Sequence, residues 1–134
     1  MIGITIVTHA NLGQEILKTA EFIIGSLDGC ATVPVDSSQG PDALRQTIAA
    51  AIKSVDRGDG VLILTDMFGG TPSNISLSFL EDGRVEVLTG VNLPMLIKAV
   101  QLRDTATLSE AAKAIGEYGR GSIQVAGEIL GGHS

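Results

Sequence analysis

The segment "VLILTDMFGGTPSN", residues 61–74, gives the clearest indication of the fold. Its first four residues are all apolar, which is typical of a parallel strand covered on both faces of a sheet. An aspartate, two apolar residues and two glycines follow. A predicted helix then begins, with Thr71 as its N-cap and Pro72 at its first helical position. A buried strand that turns through glycines into a helix is the repeating unit of an α/β protein.

The same strand–helix order recurs on both sides of this stretch. Apolar runs predict strands at 2–7, 30–35 and 85–89, and helical periodicity predicts helices at 12–24, 44–55, 94–99 and from 107 onward. We expect Gly83 to end the helix that starts at residue 71, and Gly119 and Gly121 to break the last one. The alternation predicts an open, doubly wound, mainly parallel sheet with helices on both faces. We expect the strand order 2-1-3-4, in which the order reverses between the first and third strands.

The segment "SIQVA", residues 122–126, is predicted as a short fifth strand. It is too short to need a crossover helix, so it would add to a sheet edge of this chain or of a neighbouring copy. The chain is therefore divided into a single domain over residues 1–127 and a flexible tail over residues 128–134, which contains His133.

Composition excludes several classes of function. Nine basic and fifteen acidic side chains give a net charge of −6 over 134 residues, which argues against nucleic-acid binding. A single cysteine cannot form an internal disulfide, and no segment resembles a signal peptide or a membrane span. These features predict a cytoplasmic protein that does not insert into the membrane.

Known cofactor and hydrolase motifs do not fit this sequence. The first strand is followed by "THANLG" instead of G-x-G-x-x-G, and there is no Walker-type lysine and no G-x-S-x-G elbow. No metal-ligand cluster accompanies His9. We therefore expect neither a cofactor nor a metal.

Two side chains are predicted to meet where the strand order reverses, which is the usual ligand site of such sheets. His9 follows the first strand and Asp66 follows the third. A carboxylate that accepts a hydrogen bond from one imidazole nitrogen leaves the other free as a nucleophile. Gly69 and Gly70 stand before a helix N-terminus, where backbone N–H groups favour an anion. Together these residues predict phosphoryl transfer to and from histidine.

Each of these residues also has a purely structural interpretation. A single loop histidine is often only hydrogen-bonded, and Asp66 before two glycines could form an Asx turn. Thr71 could be an N-cap and nothing more. Ser37, between Asp36 and Ser38 after the second strand, is an ordinary turn former.

Three segments carry a resemblance to a known family. They are "GITIVTHANLGQEILKTAEFIIG" (3–25), "VLILTDMFGGTPSNISL" (61–77) and "EVLTGVNLPMLIKAV" (86–100). Together they resemble the enzyme IIA component of the mannose-type family in the phosphoenolpyruvate-dependent sugar phosphotransferase system. The resemblance implies a cytoplasmic homodimer with a four-stranded parallel core and a C-terminal strand exchanged between subunits, which would be residues 122–126.

The resemblance also implies roles for individual residues. His9 matches the phosphorylated histidine, Asp66 the aspartate that orients it, and Thr71 the hydroxyl residue near the phosphoryl group, where many relatives have serine. Phosphate binding is assigned to Gly69, Gly70, Thr71 and Ser37. His9 would accept a phosphoryl group from the carrier protein HPr and pass it to a separate enzyme IIB for carbohydrate uptake.

Three alternatives share parts of this pattern. A regulatory enzyme IIA that is not coupled to transport would carry the same site residues. The phosphotransfer subunit of dihydroxyacetone kinase has a similar fold and an early histidine, although "GGTPSN" and "GVNLPM" look more like the mannose family. A non-catalytic interaction module would keep His9 unphosphorylated and bind a regulator through its acidic surface.

Overall fold

The computed structural model describes residues 1–131. Strands and helices alternate along most of the chain, as the sequence pattern predicts. The strands are β1 (Gly3–His9), β2 (Cys30–Val35), β3 (Val61–Thr65) and β4 (Val85–Thr89). The helices are α1 (Leu12–Ile24), α2 (Pro41–Val55), α3 (Thr71–Leu77), α4 (Leu93–Leu102), α5 (Leu108–Gly121) and α6 (Ala126–Leu130).

The four strands form one parallel sheet in the order β2-β1-β3-β4, which confirms the predicted topology. In this register Val7 of β1 lies opposite Thr65 of β3. His9, the last residue of β1, lies opposite Val35 at the end of β2. Because all strands run in one direction, their carboxyl ends meet at a single edge of the sheet.

Two hydrophobic cores lie on opposite faces of this sheet, because successive strand side chains alternate between faces. Ile4, Ile6, Leu62 and Leu64 point to the face covered by α1, α4 and α5. Val7 and Ile63 point to the other face and pack with side chains of α2 and with Ile75 of α3. β3 is buried along its whole length, as its uninterrupted apolar run predicts.

The structure corrects several predicted helix boundaries, among them the end of α4, which lies at Leu102 and not at residue 99. The N-cap of α3 is Gly70 in an extended conformation, so Thr71 is already helical. α3 ends at Leu77, well before Gly83, because turns fill the connection to β4. α5 continues through Gly119 to Gly121, since the missing side chain at Gly119 lets α5 approach α4 closely. A Cβ at Gly119 would lie 2.4 Å from Cγ of Met95.

The predicted fifth strand is not found within this chain. Residues 122–125 belong to no strand, and Ala126–Leu130 forms the short helix α6. A strand needs a neighbour to satisfy its N–H and C=O groups, and in the described part of this chain the segment has none. The predicted boundary between residues 127 and 128 falls inside α6. Tail residues 132–134, which include His133, lie outside the described residues.

None of the helices within residues 1–131 combines the length and the apolar character that crossing a membrane requires.

Candidate functional site

His9 and Asp66 form a hydrogen-bonded pair at the carboxyl edge of the sheet. His9 ends β1 and Asp66 directly follows β3, so the pairing of these two strands brings the residues together. Nδ1 of His9 lies 2.8 Å from Oδ2 of Asp66, and the backbone N–H of His9 donates to the same oxygen over 2.9 Å. The structure thus brings together the two residues predicted to form the centre of the site.

The protonation of Asp66 decides which nitrogen of the imidazole is available. Burial raises the pKa of the Asp66 carboxyl, but hydrogen bonds from the side chain and backbone of His9 outweigh it, and the net pKa lies below its usual value. The backbone N–H of Met67 donates to the other carboxylate oxygen over 3.0 Å. An ionised carboxylate can only accept, so Nδ1 carries a proton, and in the neutral imidazole the lone pair is then on Nε2.

The imidazole of His9 is accessible, whereas its partner is not. The side chain of His9 is 49% exposed and that of Asp66 is 12% exposed. The hydrogen-bonded edge of the ring therefore faces the protein, which leaves Nε2 as the nitrogen that an incoming group can reach. This arrangement suits a nucleophile whose tautomer is held by a neighbouring acceptor.

The turn directly after His9 is fixed by hydrogen bonds to neighbouring elements. Ala10 adopts a left-handed conformation with φ of 49°, which is unusual for a residue with a Cβ. Its N–H donates to the carbonyl of Val35 over 2.8 Å. The hydroxyl of Thr8 accepts from the N–H of Gly13 over 2.8 Å and ties the start of α1 to the strand. Ala10 is part of the site that sequence reasoning missed, since no local pattern marks an alanine as strained.

The two glycines before α3 have different roles in the geometry. Gly69 has a φ of +96°, in the left-handed region that favours glycine. Gly70 instead lies against the imidazole: a Cβ there would stand 2.7 Å from Cε1 and 3.1 Å from Nε2 of His9. Gly70 therefore keeps the space beside Nε2 free.

A cavity of about 400 Å³ opens beside His9. It brings Ser37, from the loop after β2, and Thr71, the first residue of α3, to the same hollow as the histidine. α2 starts at this cavity with Pro41, and its N-cap Gly40 offers no side-chain acceptor to the helix. The full lining is His9, Val35, Asp36, Ser37, Gln39, Pro41, Leu44 and Thr71.

Asp36 and Ser38, on either side of Ser37 in sequence, are hydrogen-bonded to each other. The carboxylate of Asp36 accepts from the backbone N–H of Ser38 over 2.8 Å and from its hydroxyl over 2.5 Å. These hydrogen bonds hold the pKa of Asp36 below its usual value. The predicted turn-forming role thus applies to Asp36 and Ser38, while Ser37 is the member of this turn group whose position beside His9 suits a ligand contact.

Exposed apolar side chains follow both His9 and Asp66 closely in sequence. Leu12 at the start of α1 is 50% exposed, and Met67 and Phe68, directly after Asp66, are 55% and 71% exposed. Large apolar groups left in solvent beside a reactive side chain are typical of a protein-binding surface. The signal in the sequence is an apolar pair inside a loop that is otherwise made of aspartate, glycine and threonine.

Within residues 1–131, no group of three or more histidine, cysteine, aspartate or glutamate side chains is arranged to hold a metal ion.

Comparisons with known proteins agree with this fold. The profile of the family described as "PTS system fructose IIA component" matches residues 3–116. The chain is 31% identical over 131 residues to the PTS system fructose-specific EIIA component of Bacillus subtilis (strain 168), covering 97% of this chain and 90% of that relative.

Two further comparisons extend the match. The chain is 33% identical over 104 residues to the PTS system mannose-specific EIIAB component of Escherichia coli (strain K12), covering 77% of this chain and 32% of that longer relative. The solved structure of phosphotransferase system component EIIA from Streptococcus agalactiae superposes with a TM-score of 0.85 at 27% identity, covering 94% of this chain and 98% of that one. The chain therefore belongs to the mannose-type EIIA family, the IIA components of sugar phosphotransferase systems.

Proposed function

We propose that the protein is a histidine phosphocarrier in which Nε2 of His9 accepts a phosphoryl group from phospho-HPr and passes it to an enzyme IIB for carbohydrate uptake. The observation that carries the proposal is the His9–Asp66 pair. Nδ1 of His9 lies 2.8 Å from Oδ2 of Asp66, and the side chain of His9 remains half exposed. Family membership supports the same chemistry, since relatives carry names of sugar phosphotransferase components.

The chemistry requires little beyond positioning. The lone pair of Nε2 attacks phosphorus, the P–N bond of the donor phosphohistidine breaks, and the donor nitrogen leaves with its electron pair. Nδ1–H of His9 stays directed at Asp66, whose negative charge stabilises the positive charge that develops on the ring. Transfer to the acceptor reverses these roles, because His9 is then the leaving group.

Several groups around the cavity are suited to the phosphoryl oxygens. Thr71 and Ser37 bring hydroxyls to the hollow beside His9, and Gly69 and Gly70 let the backbone come close. N–H groups at the start of a helix have no partner inside the helix and favour negative charge. We assign phosphate binding to these four residues and orientation of His9 to Asp66.

The proposal includes a homodimer with exchanged C-terminal segments, located in the cytoplasm. β4 is an edge strand, and a groove of about 260 Å³ lies between its carboxyl end and α5. Ile123, which lines this groove, and Val125 are 79% and 63% exposed. Pairing of residues 122–126 with β4 of a second copy would cover both the strand edge and these side chains.

The first experiment incubates the pure protein with phosphoenolpyruvate, enzyme I and HPr, and measures an acid-labile phosphoryl group on wild type and His9→Ala. We expect label on the wild type and none on His9→Ala, with unchanged circular dichroism because the side chain is half exposed. Label on both proteins would contradict the assignment of His9. An unlabelled wild type beside phosphorylated HPr would contradict the phosphocarrier proposal.

A protein-interaction module is the second candidate, favoured by the exposed side chains of Met67 and Phe68. In that case His9→Ala would leave partner binding unchanged and the wild type would take up no phosphate. A regulatory IIA would instead be labelled on His9 and would bind its target differently before and after labelling.

A further inference from the structure

Four hydroxyl groups are buried between α3 and the sheet without a hydrogen-bond partner among the described residues. They belong to Thr5 of β1, Thr65 of β3, and Ser73 and Ser76 of α3. Each of the four residues is 0% exposed. Buried hydroxyls are normally hydrogen-bonded, because leaving one unpaired forfeits the interaction it had with water.

The four hydroxyls occupy one layer of the molecule. Thr5 and Thr65 project from the same face of the sheet as Val7 and Ile63, since side chains alternate along strands. On α3, Ser73 and Ser76 stand on either side of Ile75, which packs with Val7 and Ile63 in the same core. α3 contacts both β1 and β3. The helix that carries the two serines thus packs on the two strands that carry the threonines.

The chemistry of this layer selects its ligand. Hydroxyls donate and accept equally well, and no charged side chain accompanies them among the buried polar residues of this layer. A cation would be buried there without a counter-charge, which is costly. Buried water typically makes about three hydrogen bonds to otherwise unpaired polar groups and occurs about once per 27 residues. Water is therefore the ligand that these groups fit.

The positions of Thr65 and Ser73 in the chain link these hydroxyls to the site. Thr65 ends β3 directly before Asp66, and Ser73 lies in the first turn of α3, three residues after Gly70. Gly70 in turn lies against the imidazole of His9. The spacing between α3 and β3 therefore sets how closely Gly70 and Thr71 approach Nε2.

We propose that the hydroxyls of Thr65 and Ser73 bind an internal water that positions the N-terminus of α3 against His9. Thr65 and Ser73 are positioning residues in this proposal, because they act through Gly70 and Thr71. The functional part rests on the phosphocarrier role of His9, whereas the water site itself does not. Thr5 and Ser76 lie farther from His9, since Thr5 precedes it by four residues and Ser76 begins the next turn of α3.

The test combines a structure with a matched set of variants. A high-resolution crystal structure of the wild type should show a water within hydrogen-bond distance of both hydroxyls. Thr65→Val removes the hydroxyl at constant shape, and we expect phosphoryl transfer to slow about tenfold in kcat with KM for phospho-HPr unchanged. Thr65→Ser keeps the hydroxyl and should transfer within about twofold of wild type. Thr5→Val makes the same change away from His9 and should also stay within about twofold.

Ser73→Ala removes the other hydroxyl without adding volume, and it replaces Thr65→Val in the test if that variant does not fold. Electron density in which both hydroxyls bond directly to backbone carbonyls would overturn the proposal. So would wild-type transfer by both Thr65→Val and Ser73→Ala. If the wild type itself takes up no phosphate, the phosphocarrier role fails, and the crystal structure alone decides the water site.

Discussion

At the scale of single residues, one carboxylate oxygen decides which nitrogen of His9 is available. Oδ2 of Asp66 accepts from both the ring and the backbone of the histidine, so the residue is held at two points. Sequence reasoning predicts this pair, because both residues end neighbouring strands. It does not predict the second hydrogen bond, which depends on the path of the backbone after β1.

Replacing Asp66 should affect transfer more than stability. In Asp66→Ala the imidazole loses its acceptor, the tautomer with a free Nε2 is no longer favoured, and we expect transfer to slow by about 10²–10⁴-fold. The measurement is single-turnover labelling from phospho-HPr, with the melting temperature recorded for the same samples. Normal transfer together with a large loss of melting temperature would show that Asp66 is only structural.

The same carboxylate predicts a dependence of stability on pH. The pKa of Asp66 is lower in the folded state than in the unfolded chain, so its ionised form stabilises the fold above about pH 4. This contribution is lost as the pH falls through the lower, folded-state pKa. Urea unfolding between pH 2 and pH 7 should therefore show that the free energy of unfolding falls more steeply with decreasing pH for wild type than for Asp66→Asn. Parallel curves for the two proteins would contradict the assignment.

Gly70 should be required for the reaction but not for folding. The Cβ of Gly70→Ala would stand 2.7 Å from the imidazole, which must move, and the extended backbone at Gly70 tolerates alanine. We expect transfer to slow by about 10²-fold, with the free energy of unfolding changed by less than about 1 kcal/mol. Gly121→Ala is the control, since nothing lies within 4 Å of the Cβ it adds. Equal transfer by both variants would refute the role of Gly70.

At the scale of elements, most starts and ends follow from local chemistry. A capping box starts α5: the Thr107 hydroxyl accepts from the N–H of Glu110 over 3.2 Å, and the Glu110 carboxylate accepts from the N–H of Thr107 over 3.0 Å. The start of α3 is different, because Gly70 takes the N-cap position next to His9. The boundary therefore lies one residue before its predicted position.

Loss of the capping box should destabilise the protein measurably. Thr107→Ala leaves the N–H of Glu110 without its acceptor, and we expect the free energy of unfolding to fall by about 1 kcal/mol. Ser109→Ala, at an exposed position of the same turn, should change it by less than about 0.5 kcal/mol. Urea denaturation measures both variants, and transfer by both should equal wild type because α5 starts far from His9. A Thr107→Ala protein as stable as Ser109→Ala would show that the cap contributes little.

At the scale of the whole molecule, the C-terminal segment is one apolar part that the isolated chain leaves unpacked. Ile123, Val125, Ile129 and Leu130 are between 55% and 85% exposed, and β4 has a free edge. An exposed apolar segment beside an unpaired strand edge is typical of an interface between subunits. This is the feature on which the proposed exchange of residues 122–126 depends.

Removing the segment should change the oligomeric state. A chain that ends at Gly121 lacks the residues that would pair with the second copy, and we expect sedimentation velocity to report a monomer where the full chain is a dimer. The matched substitution is Ile123→Asp in the full chain, with Phe22→Asp, at an exposed apolar position of α1, as its control. A full-length monomer, or a dimer that survives truncation, would contradict strand exchange.

Local patterns in the sequence determined the order of the elements along the chain and the buried position of β3, because hydrophobic periodicity records which face of each element is covered. They also determined that His9 and Asp66, 57 positions apart, would meet. Tertiary structure alone decided that Gly70 lies against the imidazole, that Ala10 is left-handed, that residues 126–130 are helical, and that four hydroxyls share one buried layer. These features depend on strand register and on how closely helices approach the sheet, and packing between distant segments sets both.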